Sequence, residues 1–598
     1  MADFRIHDIK TDVLVVGGGL AGCMAAIKAA ENEDLSVTIV EKSDTRASGK
    51  AGTGIDHTWA YMPPVHEKMG YTLDDMLEDY RCTVAGRDPA FFRDDLWYEV
   101  AGSIYDRVMD LERFGVTIRY QDSVVPGKYR VVYQYHSVPS SFNYDGVSLK
   151  PCLTAEAKRR KVKIVNRVQV TDLLKSADQI SGAIGVATRG RDIYLFQAKA
   201  VVLCTGGRGA RIHRNPTGVD FNTYTPPGCT ADGLAMAFRL GLPVIGAETL
   251  GGSLHLRAGA NYNPNYGDPG NTVQPAARII NWKGEVIVPR SEFYDWKRLG
   301  AEKWNAGVRR QWLKEREISN MAVRGKLAEG HARGEGPFYL DFSEASEDEA
   351  RYIVWSIKNE GRGTQFMRYF EGEEGFDLKH TRQEYAGFGT LETSIGKGLW
   401  VSQGFETATR NLFAAGDDVG GFVVGLASAG AFAGGWIAGD GAGKRAKGQK
   451  EFLDLDRDCI EARMNMAMQV ADRPRGFYWK EVETYVQNLM DFYCGRMRSA
   501  SMLERGLERL DYARKAPLKA ENPHELARTL ELQCIMDNAE MVMRASLARK
   551  ESRPAPFGFY RADYPEKDDA QWKCFLGVQK DDGQFHFPKF TGPRSAGN

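Results

Sequence analysis

Three glycines at fixed spacing carry the clearest chemistry in this chain of 598 residues. Gly17, Gly19 and Gly22, in VLVVGGGLAG, follow a short apolar run and precede an alanine-rich stretch with helical spacing. In a G-x-G-x-x-G turn the first glycine permits the tight turn and the second lets the backbone approach a pyrophosphate. The third allows close helix–strand packing. The pyrophosphate then lies at a helix N-terminus, where free N–H groups and the helix dipole favour negative charge. Glu41, in TIVEK, stands 24 residues after Gly17 at the end of the next apolar run. Its carboxylate is placed to accept hydrogen bonds from the ribose hydroxyls of an adenosine. Strand, glycines, helix, strand and terminal acid together predict a dinucleotide site.

Two later segments decide which dinucleotide. AVVLCTGG (Ala200–Gly207) is an apolar strand ending in small residues, and NLFAAGDD (Asn411–Asp418) is another ending in Gly-Asp. Each alone reads equally as a tight turn after a core strand. FAD is longer than NAD at its reactive end, so a distant segment must hold the ribityl chain and the isoalloxazine. Gly416 and Asp417 are placed to do this, and the joint occurrence predicts FAD.

The elements that must position these residues follow from pattern. Asp12–Val16, a helix at Leu20–Ala30 and Ser36–Val40 form a βαβ unit. Further strands are expected at Lys163–Val165, at Ala183–Ala187 in a hairpin with Ile193–Phe196, and at Ala200–Cys204. Asn, Pro, Gly and aromatic residues then dominate, with helical segments around Ser291–Lys326 and Ser346–Asn359. Helical patterns over Phe452–Val470, Tyr478–Asp511 and Pro523–Lys550 read as a small bundle. At this length one core is too few, because single cores stop growing at roughly 250–300 residues. The expected class is α/β: an FAD-binding Rossmann-like domain (1–245 and 386–444) interrupted by an α+β capping domain (246–385). A C-terminal helical domain (445–555) and a tail (556–598) follow.

Composition narrows the partners. The 79 basic and 79 acidic residues cancel, so nothing in the net charge argues for nucleic acid or an anionic membrane surface, no nucleic-acid partner is expected, and a small-molecule or protein partner is favoured. Nine cysteines lie singly with no C-x-x-C pair, so they form neither a secreted disulfide framework nor a ferredoxin-type iron–sulfur site. Any cluster must sit on another chain. MADFRIHDIKT at the start lacks the apolar region of a signal peptide, and a cytoplasmic location is expected. Val419–Gly439 has no charged residue, yet seven of its 21 positions are glycine. A membrane span would be rich in Leu, Ile and Phe, so this stretch reads as a buried loop and helix, and no transmembrane segment is expected. Asp563, Asp568 and Asp569 with Arg553 and Arg561 read as a solvated face, and Trp572–Val578 as a partner contact.

On VVGGGLAG, TRASGKAGTGI (Thr45–Ile55), CTGG, TADGLAMAFRLGLP, GPFYLDF, the AAGD segment, ARKESRPAP and RADYPEKDD, the chain resembles the flavoprotein subunits of the fumarate reductase and succinate dehydrogenase superfamily. KGLWVS and FAAGDDVGG make it most similar there to the α subunit of adenylylsulfate reductase. The resemblance implies a cofactor-binding set of Gly17, Gly19, Leu20, Ala21, Gly22, Glu41, Lys42, Ser48, Gly49, Ala51, Gly52, Thr53, Gly54, Thr205, Gly206, Gly207, Asp232, Gly416, Asp417 and Ser428. Membrane-bound members attach FAD covalently to a histidine; Arg46–Ala47–Ser48–Gly49 holds none, so noncovalent FAD is expected.

The resemblance also nominates catalytic groups. His57, with Trp59 and Tyr61, is brought toward the flavin ring, and Arg257 falls where an arginine faces the substrate anion. A guanidinium fork binds carboxylate, sulfate or phosphate bidentately. As structural residues, His57 would be a satisfied core histidine and Arg257 a surface ion pair. His255 and His136 are further candidates. The family's histidine before the Trp-Val-Ser stretch is missing from Leu391–Gly396, and Glu392 is the candidate replacement. The expected activity is electron or hydride transfer between FAD and a small anionic substrate, in an oligomer with a small iron–sulfur, ferredoxin-like subunit. The alternatives are a stand-alone flavin dehydrogenase or reductase of a larger hydrophobic or aromatic substrate, and a non-catalytic flavin-binding sensor.

Overall fold

The computed structural model describes residues 4–83, 92–121, 123, 125–132, 140–207, 209, 211–213, 226, 228–251, 277–289, 330, 333–347, 350–351, 354, 377–380, 382–385, 392–393, 396–421, 427–495, 497–553 and 559–591. Seven strands build the central sheet: β1 (Arg5–Val16), β2 (Val37–Glu41), β3 (Lys163–Asn166), β4 (Val168–Ser176), β5 (Gln179–Ala187), β6 (Asp192–Leu203) and β7 (Leu412–Ala414). Pairing is parallel along β3–β2–β1–β6–β7 and antiparallel through β6–β5–β4.

One strand makes this mixed sheet possible. Two strands were expected over Ile193–Phe196 and Ala200–Cys204, but both belong to β6. Its one edge holds β1 throughout, with Arg5 opposite Asp192 and Val16 opposite Leu203. Its other edge changes partner, from β5 along Ile193–Gln197 to β7 along Val201–Leu203. The ends of β1, β2, β6 and β7 therefore emerge on the same side, the usual location of ligands in open α/β sheets.

The helices that frame the sheet and its neighbour are α1 (Leu20–Ala29), α2 (Asp94–Arg113), α3 (Gly146–Arg159), α4 (Asp232–Arg239), α5 (Ala427–Gly448), α6 (Arg457–Asp472), α7 (Trp479–Tyr493), α8 (Ala500–Arg514) and α9 (Pro523–Ala548). From Ala427 onward the charge-free stretch is the start of α5, which packs on α1. A Cβ at Gly435 would lie 2.5 Å from the Ala21 carbonyl oxygen, and one at Gly439 2.2 Å from that of Ala25. Four-residue spacing keeps both glycines on one helix face, so two backbones touch there. Among the described residues no helix is long and apolar enough to cross a membrane.

α6 to α9 form the expected bundle, with the long central pattern split at Gly495 into α7 and α8. Asn522 caps α9 by accepting from the Glu525 N–H at 3.0 Å, and Pro523 occupies its first turn. α9 is buried along most of its length and packs on α4, α7 and α8. In the sequence between β6 and β7, Arg278–Ile280, Val286–Val288, Phe338–Asp341 and Gln383–Tyr385 make a four-stranded antiparallel sheet. The helix expected at Ser291–Lys326 lies outside the described residues, as does most of that at Ser346–Asn359.

Near the C-terminus two expectations change. Trp572, Phe575, Leu576 and Val578 are buried, because Phe575–Asp581 pairs with Val244–Ile245 in a five-stranded sheet. They belong to the interior, not to a partner contact. Arg553 and Arg561 are buried too, bonded to Glu551 at 2.6 Å and Asp563 at 2.7 Å. The solvated face is therefore made by Asp563 and Asp569, which stay exposed, while the arginines turn inward.

Because α1 and α5 meet through backbone, Gly439→Ala is expected to lower stability by about 1–3 kcal/mol through overpacking. Gly102→Ala, exposed on α2 with nothing within 4 Å of the new Cβ, is expected to raise it by roughly 0.5–1 kcal/mol. Chemical denaturation of both variants against wild type checks the pair.

Candidate functional site

β1 ends directly in the glycine turn, and the turn is built by contact. Gly17 has φ +100°, and a Cβ there would fall 2.3 Å from the Cys204 carbonyl oxygen at the end of β6. A Cβ on Gly22 would fall 1.9 Å from the Gly17 carbonyl oxygen. A Cβ on Gly19 would meet nothing within 4 Å, so its outer side is open. Gly19 has no side chain to cap α1, and among the described residues no side chain accepts from the first-turn N–H groups of Leu20 and Ala21. An open, uncapped helix start beside a glycine turn fits a pyrophosphate.

Glu41 is buried at the end of β2. Its carboxylate accepts from the Gly18 N–H at 2.6 Å and the Ser43 N–H at 2.7 Å, which ties β2 to the turn. The loop after β2 returns across the turn. The Ser48 hydroxyl donates to the Gly18 carbonyl at 3.0 Å, and a Cβ on Gly49 would come within 3.2 Å of the Gly19 Cα. Ala51, Gly52 and the Thr53 backbone belong to a short 3-10 turn, Lys50–Thr53, closed by Gly54 in the left-handed region. α3 starts against it: a Cβ on Gly146 would meet the Gly54 carbonyl oxygen at 2.3 Å.

The distant segment arrives at the same place. Gly416, at φ +65°, would carry a Cβ 3.0 Å from that of Ala21. Asp417 pairs with Lys50 at 3.1 Å, so the residues after β7 touch both the glycine turn and the loop. Ser428 is half-buried in the first turn of α5. Gly206 and Gly207 both have positive φ, and Gly206 has open space around its missing Cβ.

Lys42 and Asp232 occupy a different setting from the rest of the set. Lys42 bonds Asp232 at 2.8 Å, the Thr230 hydroxyl at 2.9 Å and Glu531 of α9 at 3.0 Å. Burial would lower its pKa, but the two carboxylates outweigh that and hold the ammonium above its ordinary value.

Among the candidate catalytic residues, His57 lies on a short strand, His57–Trp59, paired with Ser141–Asn143. Its Nδ1 is 2.8 Å from the Asp56 carboxylate. Trp59 is buried against Trp97 with ring centroids 4.5 Å apart, and the Tyr61 hydroxyl is turned to Glu67 at 3.4 Å. His57 keeps a partly exposed side chain near the loop. Arg257, His255 and His136 lie outside the described residues. The backbone of Glu392 pairs with Gly251, at the start of the segment that carries His255 and Arg257.

Sequence reasoning missed three groups. Lys50 pairs with Asp417, and Lys150 of α3 reaches the glycine turn. Asp418 is fully buried, accepting the backbone N–H of Thr205 and its hydroxyl at 2.9 Å. Thr205 Oγ1 in turn accepts the Gly233 N–H at 2.9 Å. Burial pushes the Asp418 carboxyl up to about 7, against the hydrogen bonds from Thr205 and with the help of neighbouring Asp417. The GDD doublet was visible in sequence; which acid turned inward was not.

Residues 12–432 match the family described as FAD binding domain, and residues 483–588 that described as fumarate reductase flavoprotein C-term. A fumarate reductase (CoM/CoB) subunit from Methanothermobacter marburgensis is 26% identical, spanning 96% of this chain and 98% of its own. The alpha subunit of adenylylsulfate reductase from Megalodesulfovibrio gigas is 21% identical over 99% and 96% respectively. The solved adenylylsulfate reductase of Archaeoglobus fulgidus has the same fold, with a TM-score of 0.81 at 23% identity over 98% of this chain and 96% of that one.

A carboxyl whose folded pKa is raised is stabilising when protonated. The Asp418 contribution is therefore fully present below the unfolded value of 3.8 and is lost as pH rises to about 7. Asp418→Asn removes this titration. Its stability relative to wild type is expected to climb between about pH 4 and 7 and then level off, measured by denaturation of the apoprotein across that range.

Proposed function

Since the chain belongs to the FAD-binding flavoprotein family that includes fumarate reductase and adenylylsulfate reductase subunits, we propose that this FAD-dependent oxidoreductase acts on a small anionic substrate. The cofactor in this reading is noncovalent. The observation that carries it is the meeting of the glycine turn, the 48–54 loop and Gly416–Asp417 at one end of the sheet. Bound there, FAD supplies two-electron chemistry at its isoalloxazine ring.

This chain's own residues then have separable tasks. The turn Gly17–Gly22 and the start of α1 take the phosphates, Glu41 the ribose, and Gly416 with Asp417 the far end of the cofactor. Arg257 binds the substrate anion and serves as the proton donor for an enoate-type substrate, with His57, His255, His136 and Glu392 as the nearby proton and hydrogen-bonding groups. Support for Arg257, His255 and Glu392 acting together comes from the pairing of Gly251 with Glu392. His57, already bonded to Asp56, is suited to hold a proton in a fixed orientation. Because the family's histidine is missing near Thr393, the substrate in this reading differs in its proton requirements from those of the relatives.

Electrons reach the site from a separate, small iron–sulfur chain, a reading supported by family membership and by cysteines that lie singly along this sequence. Division of the chain at residues 245, 385, 444 and 555 belongs to the same reading. It is supported by the return of β7 to the first sheet after the four-stranded sheet has closed.

Anaerobic reduction of the purified protein, followed by addition of fumarate, other enoates, adenylylsulfate and aromatic acids, tests the substrate class. Reoxidation by an anionic substrate is expected; reoxidation by none of the anions removes the reading. Acid precipitation should release all of the flavin, and flavin retained on the polypeptide would contradict noncovalent binding. Arg257→Ala is expected to weaken anion binding by about 1.5–3 kcal/mol through loss of a charged hydrogen bond, read as the dissociation constant of a nonreacting analogue.

A further inference from the structure

A buried lysine stands behind the glycine turn. Lys150 projects from α3, is 2% exposed, and makes no ion pair among the described residues. Its ammonium donates to the Gly18 carbonyl at 2.5 Å and lies 3.1 Å from the Cys23 sulfur. The same carbonyl also accepts from the Ser48 hydroxyl at 3.0 Å and from the Cys23 thiol at 3.4 Å. On the other side of this residue, the Gly18 N–H is held by Glu41 at 2.6 Å.

Two physical points give this arrangement a purpose. A peptide unit is planar and trans, so its C=O and N–H point in opposite directions. Three donors that hold the Gly18 carbonyl inward therefore present the Gly19 N–H on the outward side, where Gly19 has open space. A buried ammonium without a carboxylate bonded to it is also costly. A neutral glutamine could have held the carbonyl at less expense, which leaves the positive charge itself to be explained.

We propose that Lys150 is a positioning residue for the phosphates of the cofactor. It locks the Gly18–Gly19 peptide so that its N–H faces the phosphate, and it places a positive charge in low dielectric behind the turn. Electrostatic attraction there is much stronger than in water. The role rests on FAD binding at this turn and goes beyond the residues that line it.

The test is titration of deflavinated protein with FAD and, by displacement, with ADP, which carries the pyrophosphate without the flavin. Lys150→Met is expected to weaken both ligands by about 10- to 100-fold, the equivalent of a lost charged hydrogen bond. Lys150→Gln keeps a donor for the Gly18 carbonyl without the charge, and is expected to fall between Met and wild type. It also provides the measurement if the Met variant does not fold, as judged by circular dichroism. A folded variant that binds FAD and ADP as wild type does overturns the proposal, whatever its melting temperature. Loss of FAD affinity with ADP unaffected also overturns it, because the defect then lies away from the phosphates. Failure of the wild-type protein to bind FAD would instead sink the cofactor assignment.

Discussion

The site depends on backbone meeting backbone where side chains would ordinarily keep elements apart. At the α1–α5 crossing, Gly435 and Gly439 lie directly on the carbonyl groups of Ala21 and Ala25. Helices normally pack with axes about 8–10 Å apart, set by the side chains between them; without a Cβ they come closer. That proximity lets Gly416 rest on Ala21, and so lets a segment far along the sequence complete a turn made by the first strand. β6 contributes from the sheet side, holding β1 and β7 at once. A cofactor reaching across both segments needs this closeness before any polar contact can act.

Charge is organised around that dry junction in pairs. Lys42, at the exit of β2, is joined through Asp232 to α4 and through Glu531 to α9. Arg211 continues the chain, bonding Glu483 of α7 at 2.6 Å. Removing one member of such a buried pair generally costs about 3–5 kcal/mol because its partner is left uncompensated. The helical bundle is thereby bound to the end of β2 by interactions that tolerate little displacement. Lys42 and Asp232, read from sequence as cofactor contacts, join the end of β2 to α4 and α9.

Legibility of the sequence followed the range of the interaction. The βαβ unit, the glycine turn and the return at AAGD were readable because each is encoded by neighbours: a period, a breaker, a terminal acid. The helical pattern over Pro523–Lys550 announced α9 in the same way. Interactions between distant segments left no such mark. Nothing in SLKPC indicates that Lys150 reaches Gly18, and the alternating charges near Arg553 and Arg561 look identical whether they face water or the interior. Trp59, an aromatic residue after the flavin loop, pairs with Trp97 for reasons set by α2. Even the merged strand β6 was hidden, because a change of partner along one edge leaves the period unbroken.

Asp417 and Asp418 show how far local chemistry can diverge between adjacent residues. Successive side chains leave the short turn after β7 in different directions, so one acid reaches Lys50 in the loop and the other is drawn under Thr205. Asp417 is paired with a cation on the element that crosses the glycine turn. Asp418 is held by neutral hydrogen-bond donors, and burial makes its charged form unfavourable near neutral pH. Two adjacent acids thus tie the exit of β7 both to the loop over the glycine turn and to the end of β6, one through an ion pair and one through neutral hydrogen bonds. The order of the doublet decides which acid meets the cation: Asp417 does, and Asp418 is left beneath donors that carry no charge.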